Sequence, residues 1–346
     1  MGTEDDVTAD LGGRYTIRSS AVIDLNLLRV RLSSNLADFP AFGYFNRRLP
    51  PESAAGHEVD YEVVCVDLDE DPIEPDLLRP LGDRGFRADR FRDGFYITHH
   101  FGPPAELVTR GNRIHVFGRR LDRIVWAYLV KHLLTIFAVD NGLLHLKGAA
   151  FLQPGVGATL LFGRAKAGKT VFLGQACASG ARYIGNTHLL IRDRQVHGVP
   201  TAMRVRAGGG FDDIIASGRQ DRHLDRSEYR LDPDLVFGRP SVREARIRNM
   251  CVVDFNPSKE FSVEEIDEET FTVFLEHFAL AVGTYGLKYD LLHHLNNDFR
   301  RYSAACSDMR NKLRRLARTS RLFSVNADML DNACREKTLA MLAAPR

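Results

Sequence analysis

The sequence of 346 residues predicts an α/β protein of the α+β kind, in which strands and helices do not alternate regularly. Three observations support this prediction. Strand-like runs fill the first third of the chain, a strand–turn–strand pattern precedes a glycine-rich loop at 163–170, and helical periodicity dominates the C-terminal part. Because one hydrophobic core rarely grows this large, we expect a β-rich or α+β domain over 1–120, a central core over 121–265 and a helical region over 266–346.

The composition is that of an ordinary globular protein, with 44% hydrophobic and 27% charged residues. The formal net charge of +2 gives no reason to expect nucleic acid or a membrane as a partner. Five cysteines without a C-x-x-C pair indicate reduced thiols and argue against a zinc site. The chain has no apolar run of membrane-spanning length, and its acidic N-terminus does not resemble a signal peptide, so we expect a cytoplasmic protein. Homo-oligomerisation is left open.

Four strand-like runs separated by turn-rich stretches predict the N-terminal domain. They are Tyr15–Val22, Tyr61–Val66, Gly94–Ile97 and Arg113–Phe117. A helix over 122–139 follows, because apolar residues recur there at helical spacing. Asp122 can cap the start of this helix, and Asn141-Gly142 can end it.

A hairpin is predicted after this helix. Leu143–Leu152 has the pattern of a strand, 154–157 is a tight turn, and Thr159–Phe162 is a short apolar run typical of a buried strand. After the glycine-rich loop, Val171–Ala178 can open a helix and Arg182–Asp193 is the next strand. A doubly wound fold would instead join these strands by parallel crossovers, so that fold is not expected.

The loop reads Gly-Arg-Ala-Lys-Ala-Gly-Lys-Thr and matches the complete pattern G-x-x-x-x-G-K-[ST]. Its glycines let backbone N–H groups surround an anion, and the following helix N-terminus adds the positive end of its dipole. Lys169 can reach the β- and γ-phosphates, and Thr170 can offer a hydroxyl to Mg²⁺. The expected ligand is ATP, GTP or another polyphosphate. The residues expected to contact it are Gly163, Arg164, Ala165, Lys166, Ala167, Gly168, Lys169, Thr170 and Val171.

Two segments beside the loop carry a family resemblance. Residues 144–151 read Leu-His-Leu-Lys-Gly-Ala-Ala-Phe, and 181–190 read Ala-Arg-Tyr-Ile-Gly-Asn-Thr-His-Leu-Leu. With the hairpin and the loop between them, they resemble the catalytic domain of HPr kinase/phosphorylase and its relatives over residues 120–206. That family phosphorylates hydroxyl groups of protein serines or small molecules. The resemblance implies the compact mixed-sheet kinase core that this family shares with phosphoenolpyruvate carboxykinases.

The resemblance also implies roles for individual residues. His145 matches the histidine that the family places on the strand before the loop, where it could hydrogen-bond the γ-phosphate or exchange a proton with the acceptor. The alternative for His145 is a strand histidine satisfied by the protein itself. Arg204 and Arg206 alternate on one strand and match a segment that could clamp a substrate phosphate. A surface strand with solvated arginines is the alternative.

The chain departs from the family on the strand after the loop helix. Relatives carry an Asp-Asp pair there, whereas this chain has Asn186-Thr187. An amide oxygen can ligate Mg²⁺ but cannot act as a base at neutral pH. Asp254, which ends an apolar run as Walker-B aspartates do, is the first candidate for a replacement metal ligand. Asp212 and Asp213 are others, and His188 could supply the missing base.

These observations predict a Mg²⁺- and ATP- or GTP-dependent kinase that phosphorylates a hydroxyl, preferably of a small molecule such as an amino acid, sugar or nucleoside. Lys169 would hold the triphosphate, and Thr170, Asn186 and Asp254 would serve the metal. His145, Asn186 and His188 would act at the acceptor. The alternatives are a non-catalytic nucleotide-binding regulator, a protein serine kinase of the HPr kinase type, and an enzyme that activates a carboxylate.

Overall fold

A computed structural model describes residues 14–49, 58–73, 85–87, 105–216, 222–225 and 228–345. The chain divides into two compact units, Met1–Leu133 and Leu134–Arg346. Each contains mixed sheets with helices, which confirms the α+β class. Among the described helices, none combines the length and apolarity that crossing a bilayer requires.

The described part of the first unit is built on a seven-stranded sheet of order β3-β1-β2-β4-β7-β6-β5. The pairs β2–β4 and β4–β7 are parallel and the other pairs are antiparallel. The predicted strands near residues 61 and 113 are confirmed, and Gly94–Ile97 lies outside the described residues. The strands are β1 (Ser19–Asp24), β2 (Arg29–Ser34), β3 (Arg48–Leu49), β4 (Tyr61–Asp67), β5 (Gly85–Arg87), β6 (Glu106–Arg110) and β7 (Arg113–Gly118).

The helix predicted over 122–139 is present, but it is not uniform. It consists of α1 (Leu121–Ile124), a π-helical turn (Val125–Leu129) and α2 (Val130–Asp140), and the boundary between the two units falls within α2. The prediction that Asp122 caps it is wrong, because Arg120, with φ of 54°, holds the cap position and no side chain caps the helix. Gly142 has φ of 64° just after the helix end, as expected of a helix stop.

The second unit contains a branched nine-stranded sheet, in which β11-β9-β10-β17-β13-β12-β8 is one path and β19 joins β17 to β18. The first strands are β8 (Leu144–Leu146), β9 (Ala149–Gln153), β10 (Gly157–Phe162), β11 (Arg182–Asn186), β12 (Leu189–Arg192) and β13 (Gln195–Gly198). The later strands are β17 (Glu244–Val253), β18 (Ser262–Glu265) and β19 (Arg321–Asn326). A separate sheet has the order β14-β16-β15, with β14 (Met203–Arg206), β15 (Arg222–Asp225) and β16 (Glu228–Leu231).

The predicted hairpin is confirmed as the antiparallel pair β9–β10, and β11 adds to the other side of β9. β10 then pairs in parallel with β17, which pairs in parallel with β19. The carboxyl ends of three central strands therefore lie at one edge of the sheet. β19 was not expected from the sequence.

Two strand predictions are wrong in the same way. The strand predicted over 143–152 is split at Lys147-Gly148 into β8 and β9, and that predicted over 182–193 is split at Thr187-His188 into β11 and β12. Thr187 has φ of 79°, which interrupts the extended backbone. In both cases the two halves lie far apart in the strand order: β9 and β11 are neighbours at one end of the path, and β8 and β12 are neighbours at the other end.

The helix after the glycine-rich loop, α3 (Lys169–Ala178), packs its apolar face on the central strands. Phe172, Leu173 and Ala176 are buried there with Phe151 of β9 and Cys251 of β17. This packing fixes the helix N-terminus beside the end of β10. The other α-helices of the described residues are α4 (Asp212–Ala216), α5 (Pro233–Phe237), α6 (Glu268–Phe278), α7 (Ala281–Thr284), α8 (Lys288–His294), α9 (Phe299–Arg318) and α10 (Asn332–Ala343).

Candidate phosphate-binding site

The glycine-rich loop lies between a buried strand and a helix, as the sequence predicts. The last five residues of β10 are buried, and α3 begins at Lys169. Three loop residues have left-handed backbone angles, with φ of 146° at Gly163, 66° at Lys166 and 88° at Gly168. Successive reversals of this kind turn backbone N–H groups toward one point, which is how a loop surrounds a phosphate.

Glycine is required at the first position of the loop by close packing as well as by its φ angle. A Cβ atom on Gly163 would lie 2.3 Å from the carbonyl oxygen of Val253. The loop therefore starts in direct contact with the end of β17. Phe255 lies next to the loop too, with its Cβ 3.5 Å from the place of a Cβ on Gly168.

The Lys169 ammonium group lies over the loop that precedes it. Its Nζ donates hydrogen bonds to the carbonyl oxygens of Gly163, at 2.8 Å, and Arg164, at 2.7 Å. Burial, and to a lesser extent the charge of Lys147, lowers the pKa of Lys169 to about 8. A bound phosphate group would supply the negative charge that stabilises the protonated form.

Asp254 follows β17, the parallel neighbour of the strand that leads into the loop. This is the position expected of a Walker-B carboxylate. Its Oδ1 accepts a hydrogen bond from Nε of Arg164 at 2.9 Å; the Arg164 side chain is largely exposed and that of Asp254 is about half exposed. The structure thus brings Asp254 to the loop through an ion pair. Asp212, by contrast, accepts a hydrogen bond from the backbone of Gly208 at an exposed helix start.

Asn186, the first of the two residues at which the resembling family has Asp-Asp, is the last residue of β11, and Thr187 follows it. Asn186 is buried, and Thr187 is held in the left-handed region. The Thr187 carbonyl oxygen accepts a hydrogen bond from the Tyr285 hydroxyl at 3.0 Å and from the backbone N–H of Gly148 at 3.4 Å. A β-branched residue with positive φ is an outlier, and such strain concentrates at functional sites.

His145 and His188 form a buried pair beside this strained turn. Nε2 of His145 lies 3.1 Å from Nδ1 of His188, and Nδ1 of His145 lies 2.9 Å from the Thr135 hydroxyl. The Tyr285 hydroxyl is 3.5 Å from the same His188 nitrogen. Both nitrogens of His145 therefore face protein groups. The catalytic roles of these histidines stay predictions, and the contacts of His145 match the alternative of a strand histidine satisfied by the protein itself.

The predicted alternation of Arg204 and Arg206 on one strand face is confirmed. Both are exposed on β14, whereas Met203 and Val205 are buried in the core that includes α3. The arginines therefore project from the face opposite to the loop helix. Their role in substrate binding stays a prediction.

Sequence reasoning missed Lys147 and Tyr285. Lys147 follows β8, and its Nζ lies 5.6 Å from the centroid of the Tyr285 ring. Burial lowers the pKa of Lys147. The chain has only eight lysines, so a lysine close before the loop was a usable signal.

The donor set at the loop fits Mg²⁺. The Thr170 hydroxyl in the first turn of α3 and the Asp254 carboxylate are hard oxygen ligands, which this ion prefers. Among the described residues there is no group of three His, Cys, Asp or Glu side chains that could hold a metal by itself.

No protein-family model matches the chain, and a comparison with curated proteins finds no match either.

Proposed function

We propose that the protein is a Mg²⁺-dependent phosphotransferase that moves the γ-phosphoryl group of ATP or GTP to a hydroxyl group, preferably of a small molecule. One observation supports the proposal: a complete G-x-x-x-x-G-K-[ST] loop with left-handed turns leads from a buried strand into a helix that begins at its lysine. We further propose that the second unit is a kinase core of the HPr kinase type. The β9–β10 hairpin before the loop supports this assignment.

In the proposed reaction the acceptor oxygen attacks the γ-phosphorus, and the bond to the oxygen that bridges the β- and γ-phosphates breaks. The products are a phosphate ester and the nucleoside diphosphate. Backbone N–H groups of the loop, the N-terminus of α3 and Lys169 bind the phosphate oxygens. Thr170 and Asp254 would hold Mg²⁺, which neutralises negative charge on the phosphates when it is bound.

Removal of the proton from the acceptor hydroxyl needs little help from a general base, because phosphoryl transfer depends mainly on positioning and charge neutralisation. His188, two residues after Asn186, would accept the proton of the acceptor hydroxyl through its imidazole ring. The hydrogen bond from or to His145 would fix the orientation of its ring. In this proposal Arg204 and Arg206 remain candidates for binding an anionic part of the acceptor.

A non-catalytic nucleotide-binding regulator is the second candidate, and a specific observation favours it. The strand end at Asn186-Thr187 supplies no carboxylate for metal or base. A chain that binds nucleotide without turnover could keep its loop and lose this charge. The same loop is also compatible with a protein serine kinase or with an enzyme that activates a carboxylate.

Turnover distinguishes these candidates. We expect consumption of Mg-ATP that depends on an added metabolite bearing a hydroxyl group, with the phosphate ester as product. An acyl phosphate that hydroxylamine can trap would point instead to carboxylate activation, and phosphorylation of an added protein to a protein kinase. Tight ATP binding without turnover across a broad metabolite panel would refute the enzyme and support the regulator.

A further inference from the structure

The backbone of Lys147 is held in a fixed position next to the start of the phosphate-binding loop. It lies on the two-residue connection between β8 and β9, and its backbone N–H donates to the carbonyl oxygen of Ala279 at 2.7 Å. A Cβ on the next residue, Gly148, would be 2.9 Å from the Leu161 carbonyl oxygen and 3.0 Å from the ring of Phe162. The connection therefore packs directly against the end of β10, one residue before the loop starts.

The side chain of Lys147 lies toward the end of β11. Its ammonium group is over the Tyr285 ring, and the Tyr285 hydroxyl donates to the Thr187 carbonyl oxygen at 3.0 Å. The lysine, the tyrosine and the strained turn after Asn186 therefore form one cluster. In this cluster the strand end contributes the neutral residues Gly185, Asn186 and Thr187.

Lys147 and Lys169 also act on each other electrostatically. The charge of Lys147 contributes, after burial, to the lowered pKa of Lys169. Two like charges that are both partly withdrawn from water oppose each other's protonation, and a polyanion between them removes this penalty. Two lysines whose charges act on each other beside this loop thus favour a highly charged ligand.

We propose that Lys147 is a second lysine of the phosphate site, that it contacts the γ-phosphate, and that it makes the site select a nucleoside triphosphate over a diphosphate. This inference rests on the proposed function, since it requires a nucleotide in the loop. The γ-phosphate carries three non-bridging oxygens and can accept hydrogen bonds from Lys147 and Lys169 together. A diphosphate lacks the group that Lys147 would contact.

The test compares ATP and ADP, each with Mg²⁺, by isothermal titration calorimetry on the full chain and two variants. Lys147→Gln removes the charge but keeps a polar side chain. Lys288→Gln is the matched control. It removes the same charge from a lysine that is exposed at the start of α8. Loss of a charge-assisted hydrogen bond should weaken ATP binding to Lys147→Gln by roughly 10- to 100-fold and ADP binding by less than about 3-fold. Lys288→Gln should bind both nucleotides as the wild type does.

Equal losses for ATP and ADP in Lys147→Gln, or no loss for ATP, would overturn the inference. If Lys147→Gln does not fold, the nucleotide preference of the wild type still tests the inference. The inference requires the wild type to bind ATP at least about tenfold more tightly than ADP. Lys147→Arg, which keeps the charge, should retain that preference. Wild-type protein that binds neither nucleotide refutes the proposed function itself. Binding that depends on Lys169 but not on Lys147 refutes only the inference.

Discussion

The left-handed backbone at Thr187 gives a sharp test of the strained turn at the end of β11. We compare Thr187→Gly with Thr187→Ala, so that the only difference between the variants is one Cβ atom. At φ of 79° an L-residue costs roughly 1–2 kcal/mol that glycine does not. Glycine loses roughly 0.5–1 kcal/mol to alanine through the entropy of the unfolded chain. Thr187→Gly should therefore be more stable than Thr187→Ala by about 0.5–1 kcal/mol.

The control for this comparison is Ser324, a half-buried residue within β19 that pairs with both neighbouring strands. There the order should reverse, with Ser324→Ala more stable than Ser324→Gly by about 0.5–1 kcal/mol. Urea titrations followed by far-ultraviolet circular dichroism measure both differences. If glycine is the less stable variant at both positions, the backbone at Thr187 is not left-handed and the argument for a strained site fails.

Three further predictions concern other parts of the chain. Asn186→Asp should keep the fold and change the Mg²⁺ dependence of nucleotide binding, because it introduces a carboxylate; an unaltered metal titration would mean that this side chain does not face the metal. Gly163→Ala should destabilise the protein by about 1–3 kcal/mol, because its Cβ would overlap the Val253 carbonyl, and wild-type stability in urea would contradict the close packing. Burial lowers the pKa of His115 to about 4, so the unfolded chain binds a proton below pH 6.5 that the folded chain does not. The free energy of unfolding should therefore fall by on the order of 3 kcal/mol as the pH is lowered from 6.5 to about 4. In urea titrations the free energy of unfolding of His115→Gln should depend less steeply on pH than that of the wild type. Identical pH profiles of the two proteins would refute this prediction.

The sequence predicts secondary structure best where the conformation of a segment depends only on its own residues. The loop at 163–170, the hairpin before it and the helix after it follow from glycine positions and local apolar runs, and the structure has them where they were expected. The α+β class follows from the same patterns. Local pattern could not reveal that β8 and β9 lie near opposite ends of the strand order, because both are apolar and almost contiguous.

The candidate site was predictable only in part, since it is assembled from distant segments. The pairing of His145 with His188 spans 43 residues, and the contact of Tyr285 with Thr187 spans 98 residues. Periodicity gives no information on such contacts. The sequence predicts extended backbone at Thr187, because a β-branched side chain favours it. Tertiary contacts override that preference and hold the residue at positive φ. Asp254 was recognisable because it ends an apolar strand.

Nucleotide binding by the loop is tested most directly by calorimetry with Mg-ATP on the wild type and on Lys169→Ala. We expect the wild type to bind and the variant, with an unchanged circular dichroism spectrum, to lose at least about tenfold in affinity, because Lys169 supplies a charged hydrogen-bond donor to the phosphates. No heat of binding with millimolar nucleotide on the wild type, or equal binding by the two proteins, would contradict the account.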